Sequence, residues 1–124
     1  MRTSRVNRRG FLMAELIVST GLLGLAIAAL AVILQGVTAI NRYQWTRHQC
    51  VAAAEAQIDS LAAAGEPIDE TEIARLWPEI QVTVDRAPGQ DAWEGLDLIR
   101  VTAAGMAGPH AVAVRLERYV PRKQ

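Results

Sequence analysis

A single cysteine, Cys50, stands in this chain of 124 residues, which excludes an intrachain disulfide and a cysteine-rich metal site. A lone thiol reads as a small buried hydrophobe, with an intermolecular bridge as the remote alternative. Proline is missing everywhere before Pro67, so nothing in the first half forces a helix to break. Aromatic residues are few: Phe11, Tyr43, Trp45, Trp77, Trp93 and Tyr119. Net charge is absent too, with 13 basic and 13 acidic side chains. The most telling gap is local. No charge occurs from Leu16 to Asn41, and Glu15 is the only one between residues 11 and 40. A run of 26 uncharged, mostly apolar residues exceeds the ~20 that cross a bilayer, which excludes an ordinary cytosolic globule. The length excludes a two-domain enzyme.

The zero net charge hides an asymmetry. Arg2, Arg5, Arg8 and Arg9 make the first ten residues strongly basic, with no acid among them. Residues 41–124 carry 9 basic and 12 acidic side chains. A basic stub, an apolar span and a mildly acidic body describe a chain inserted in a membrane with its basic end in the cytoplasm. The body offers no basic stripe, so nucleic acid is not an expected partner.

The chain therefore reads as a leader (residues 1–10), an apolar membrane-spanning half of a helix (11–40) and a soluble domain (41–124). Beyond Asn41 the pattern turns amphipathic. Ile40, Tyr43, Val51, Ala54, Ile58 and Leu61 fall on or near one stripe, and Gly65 followed by Pro67 is a stop signal. The expectation is one helix from about residue 12 to residue 64. A short helix follows, with Asp69, Glu70 and Glu72 in its first turn and Pro78 ending it. Then the period changes to two. Ile80, Val82 and Val84, then Ile99, Val101 and Ala103, then Val112, Val114 and Leu116 mark three strands, each with one apolar face. Arg86 to Gly95 and Gly105 to Pro109 read as connections, because both carry Gly and Pro. Short connections favour an antiparallel meander, whose apolar face needs a cover. The expected fold class is α+β, with the amphipathic half of the long helix laid on the sheet.

The richest local signal is Arg8-Arg9-Gly10-Phe11-Leu12-Met13-Ala14-Glu15-Leu16. A carboxylate inside an apolar span carries an insertion cost, ~2.5 kcal/mol at the centre and less near an end. A cut between Gly10 and Phe11 would create an ammonium four residues before Glu15, available to that carboxylate in the same chain or in a neighbour. The junction resembles the class III signal of type IV pilins and type II secretion pseudopilins, where a basic leader ends in Gly, Phe follows, and Glu is fifth after the cut. The resemblance implies a pilin-like fold, cleavage after Gly10 by a membrane aspartyl prepilin peptidase, and methylation of the Phe11 amine. Glu15 would then act in assembly. It further implies other pilin or pseudopilin subunits, an inner-membrane assembly platform and membrane lipid as partners. The location would be the inner membrane, single-pass, with the N-terminus cytoplasmic and the C-terminal domain periplasmic, then a filament. Two departures, no proline in the apolar half and no cysteine pair, point to a minor pilin or pseudopilin. Asn7-Arg8-Arg9-Gly10-Phe11-Leu12 also resembles a twin-arginine export signal, with Ala29-Leu30-Ala31 as a cleavage site, and a small exported binding protein is the alternative.

Enzyme chemistry finds no support. His48 and His110 have no cysteine partner or carboxylate motif, and no glycine-rich phosphate loop or nucleophile motif is present. No cofactor is expected. Asp91, Glu94 and Asp97 match no strict calcium motif and read as a solvated acidic loop. Trp93 among them is either an interface anchor or a cap on the sheet.

Overall fold

A computed structural model describes residues 8–122 of the chain; the leader arginines Arg2 and Arg5 lie outside the described residues. The chain forms two compact units, one ending at Thr38 and one beginning at Ala39. Helix α1 (Arg8–Ala63) contributes to both.

Among the described residues of the first unit, α1 is the one element. It starts at Arg8, four residues before the expected start, because nothing in Arg8-Arg9-Gly10-Phe11 opposes helical geometry. Leu- and Ala-rich sequence without proline continues it. The hydroxyls of Thr20 and Thr38 donate to the Leu16 and Leu34 carbonyls at 2.7 and 2.8 Å. Each hydroxyl is thus satisfied within its own helix and demands no outside partner, as an apolar surround requires.

In the second unit α1 runs on to Ala63 and stops as the sequence signals. Gly65 adopts φ +78°, the left-handed geometry that ends helices and that glycine enters without strain. The Ala64 N–H donates to the Ser60 carbonyl at 2.8 Å, and in the connection beyond the helix Ser60 Oγ donates to the Glu66 carbonyl at 2.9 Å and Arg86 Nη2 to the Gly65 carbonyl at 3.0 Å. Helix α2 (Glu70–Leu76) follows, with Glu70 and Glu72 in its first turn and Ile73 buried.

Three strands come next: β1 (Gln81–Pro88), β2 (Leu96–Ala107) and β3 (His110–Pro121). They form an antiparallel sheet in the order β1-β2-β3. The fold class is α+β, one long helix packed on a three-stranded sheet. The strands are longer than their apolar alternation implies. Arg86 to Pro88 belong to β1, pairing with Ile99 to Asp97, and Pro88 is tolerated because β1 is an edge strand. Gly105 is not a turn residue but an interior one, paired with Val112. A β-carbon there would lie 2.6 Å from Ile80 Cδ1 and 3.1 Å from Thr46 Cγ2, so only glycine admits these neighbours without movement. The actual turn is Gly108-Pro109, with Gly108 at φ +61° and Ala107 facing His110. Positive φ at its first central residue alone marks a type II′ hairpin turn.

The core lies between α1 and the sheet. From the helix come Cys50, Ala53, Ala54, Ile58 and Leu61; from the sheet side come Ile80, Ile99, Val101, Ala103, Ala107 and Val112. Ile99 and Val101 are fully buried, each worth ~1.5–3 kcal/mol relative to exposure. The buried row of α1 begins at Thr46, not at Ile40 or Tyr43, which are exposed. Those two stand before the sheet begins to cover the helix. Gln57 is buried in the same row, and its Oε1 accepts the Ile68 N–H at 3.1 Å, tying the connection after α1 to the helix. Cys50 is a buried free thiol, and that burial pushes its pKa upward.

Candidate functional site

Gly10, Phe11 and Glu15 all lie on α1. Four residues separate Phe11 from Glu15, so the two share a helix face at an axial distance of ~6 Å. Phe11 is 74% exposed. Glu15 is exposed and makes no hydrogen bond or ion pair among the described residues. A β-carbon on Gly10 would meet nothing within 4 Å. The packing of this chain therefore places no demand for glycine at position 10, in contrast to Gly105.

The surroundings of these residues are equally bare. Every residue from Gly10 to Trp45 is exposed, including Leu12, Leu16, Ile17, Leu22, Ile27 and Ile33. A helix apolar around its whole circumference cannot rest in water; it belongs in lipid or against other helices. This stretch is long and apolar enough to cross a membrane. Its other three glycines, Gly21, Gly24 and Gly36, likewise have open space where a side chain would stand. Small residues of this kind let neighbouring helices approach closely in lipid.

The acidic loop is organised differently from a cation site. Asp97 is ion-paired with Arg122, Nε to Oδ1 at 3.0 Å, and no group of three or more metal-binding side chains occurs among the described residues. Asp91 opens a single 3-10 turn (Asp91–Trp93) at φ +52°. Trp93 stacks on Tyr119, ring centroids 4.6 Å apart and planes within 7°, while remaining 49% exposed. The indole thus packs onto β3 while keeping half its surface open. Beside it on the outer sheet face, Arg100 pairs across strands with both Asp85 and Glu117. The hydrogen bond from its Nε to Glu117 at 2.6 Å, together with the two carboxylate charges, raises its already high pKa.

His48 and His110 are both exposed, on α1 and at the start of β3. A groove of about 770 Å³ runs between α2 and β1, with Gln57, Ile73, Val82 and Thr83 in its walls and only Glu70 and Asp85 as charged groups. That lining holds no nucleophile–base pair. A smaller groove beside Arg42, Trp45, Glu79 and Met106 went unread in the sequence. The legible half of its signal was an Arg-Tyr-x-Trp cluster directly after an uncharged run. No family model, curated protein or solved structure matches the chain.

Proposed function

We propose that the chain is a pilin-like structural subunit, a minor pilin or pseudopilin, that assembles into or primes a helical filament of the type II secretion or type IV pilus kind. One observation carries the reading: an all-round exposed apolar helix bears a single carboxylate, Glu15, unpaired among the described residues and one turn beyond an exposed Gly10-Phe11 pair. In water each exposed Leu, Ile or Val forgoes ~1.5–3 kcal/mol of burial. Lipid supplies that burial while the subunit is stored, and equivalent helices supply it in a filament.

The roles follow from chemistry. A prepilin peptidase must bring the backbone of residues 10 and 11 into its cleft, and a glycine that the chain's own packing does not require suits that approach. Cleavage leaves an ammonium on Phe11. Glu15 neutralises such an ammonium, in its own chain or in the subunit before it, and so sets an axial register between neighbouring helices. The subunit performs no catalysis; it is the peptidase's substrate. In this reading it sits in the inner membrane, single-pass, N-terminus in the cytoplasm and sheet on the opposite side, in contact with other subunits and an assembly platform.

The deciding experiment is the mass of the mature N-terminus. N-methyl-Phe11 supports the proposal. A start near Val32 would instead support the twin-arginine-exported binding protein, and an intact Met1 would refute both.

A further inference from the structure

The groove at the start of the second unit brings two opposite charges together with open apolar side chains. It holds about 580 Å³ between α1 and the β2–β3 turn, bounded by Arg42, Trp45 and Thr46 on one side and by Glu79, Met106 and Gly108 on the other. Two opposite charges line it, yet Arg42 and Glu79 form no ion pair with each other or with any other described residue. Its apolar members are unusually open for a sheet protein, Trp45 at 67% and Met106 at 58% exposure. Ile40 and Tyr43, also exposed, stand on the same stretch of α1.

The groove's depth along the chain fits one surround. Arg42 is the first charge after the uncharged run that ends at Asn41. From Arg42 to Thr46 the helix rises ~6 Å, which matches the ~5–7 Å thickness of one headgroup layer of a bilayer. Trp and Tyr collect at that depth because their rings are apolar and their N–H and O–H groups are wet.

We propose that this groove seats the headgroup of one phospholipid that carries a phosphate and a primary ammonium. The phosphate accepts from the Arg42 guanidinium, the ammonium donates to the Glu79 carboxylate, and Trp45 and Met106 lie against the glycerol and first acyl carbons. A purely anionic headgroup would leave Glu79 facing like charge. A quaternary ammonium would offer Glu79 no N–H. The inference rests on the reading that residues 11–40 lie in a bilayer, and its test separates the two.

The full-length chain, with Cys50→Ala, carries one environment-sensitive fluorophore at either His110→Cys, an exposed position beside the β2–β3 turn and outside the groove lining, or Ile27→Cys. It is reconstituted in vesicles holding phosphatidylethanolamine or phosphatidylcholine, each spin-labelled high on the acyl chain. At the His110 position labelled phosphatidylethanolamine should quench roughly two- to fivefold more effectively than labelled phosphatidylcholine, the preference expected of one partly exposed charge contact. At Ile27 the two lipids should quench equally. Glu79→Gln should abolish the preference, and Arg42→Gln should weaken quenching by both lipids at His110. Quenching at Ile27 without quenching at His110 overturns the groove and leaves the span intact. No quenching at Ile27 overturns the span and the groove with it. Equal quenching by the two lipids at His110, or displacement by soluble glycerophosphoethanolamine, also overturns the proposal, the latter because the groove would then read a solute.

Discussion

Replacing Gly105 by alanine tests whether the sheet is held against the helix as closely as the geometry states. The new methyl would sit 2.6 Å from Ile80 Cδ1, 3.1 Å from Thr46 Cγ2 and 3.3 Å from the Glu79 carbonyl. Two effects oppose. Removing a glycine from a strand interior gains ~0.5–1 kcal/mol of backbone entropy. Forcing an extra methyl into a filled space costs ~1–3 kcal/mol. Ile80 is buried and cannot swing freely, and a carbonyl cannot swing at all, so the clash wins. The net expectation is a loss of ~0.5–2 kcal/mol. The natural assay is thermal or urea unfolding of residues 39–124 alone, which has its own core and is expected to fold, with strand content by circular dichroism. A loss of ~1 kcal/mol would appear as a fall of about 4–8 °C in Tm for a unit of this size. Ile80→Val removes the Cδ1 atom in question and should by itself cost ~0.5–1.5 kcal/mol. Because that atom is the obstacle, the double variant should be more stable than the sum of the single changes implies, by ~0.5 kcal/mol or more. Additive losses, or a stabilising Gly105→Ala, would refute the contact.

Three further expectations address the site and the core. Gly10→Val should block removal of the leader, seen as a full-length protein by mass spectrometry, while α1 stays folded because a β-carbon there meets no packed neighbour within 4 Å among the described residues. Glu15→Gln should leave membrane insertion intact or slightly stronger but reduce crosslinking between subunits sharply, because a neighbouring ammonium buried without its carboxylate is costly, and undiminished crosslinking would remove Glu15 from assembly. Burial raises the folded pKa of Cys50, so its stabilising share is complete below the unfolded thiol pKa of about 8.5 and fades as pH climbs through the folded value; unfolding free energy should therefore decline at alkaline pH, and Cys50→Ala should flatten that decline.

Most of the architecture was legible because it rests on local signals. The end of α1 follows from Gly65 and Pro67, and the three strand cores follow from alternation at Ile80–Val84, Ile99–Ala103 and Val112–Leu116. What escaped depends on contacts across the chain. Glycine is a turn signal by default, and only the approach of Thr46 and Ile80 explains why Gly105 belongs inside β2. Thr46 and Gln57 are polar residues outside the apolar stripe, yet both are buried: the sheet covers one and the Ile68 N–H holds the other. The stripe drawn through Ile40 and Tyr43 began too early because a helical period says which face is apolar, not where a sheet starts to cover it. Of the candidate site, Gly10, Phe11 and Glu15 were visible as a spacing. That Glu15 meets no partner among the described residues was not, since a spacing says nothing about what surrounds it.

The order of elements also sets a timetable for biogenesis. The covering residues Cys50, Ala53, Ala54, Ile58 and Leu61 leave the ribosome before any strand exists, whereas the sheet is complete only when β3 reaches Pro121. At ordinary elongation rates, synthesis from Leu61 to Pro121 occupies roughly 3–12 s. For that interval the apolar row on α1 has nothing of its own to pack against. Slowing elongation between α2 and β3 would lengthen the period in which that apolar row stays uncovered and the nascent chain is vulnerable to proteolysis.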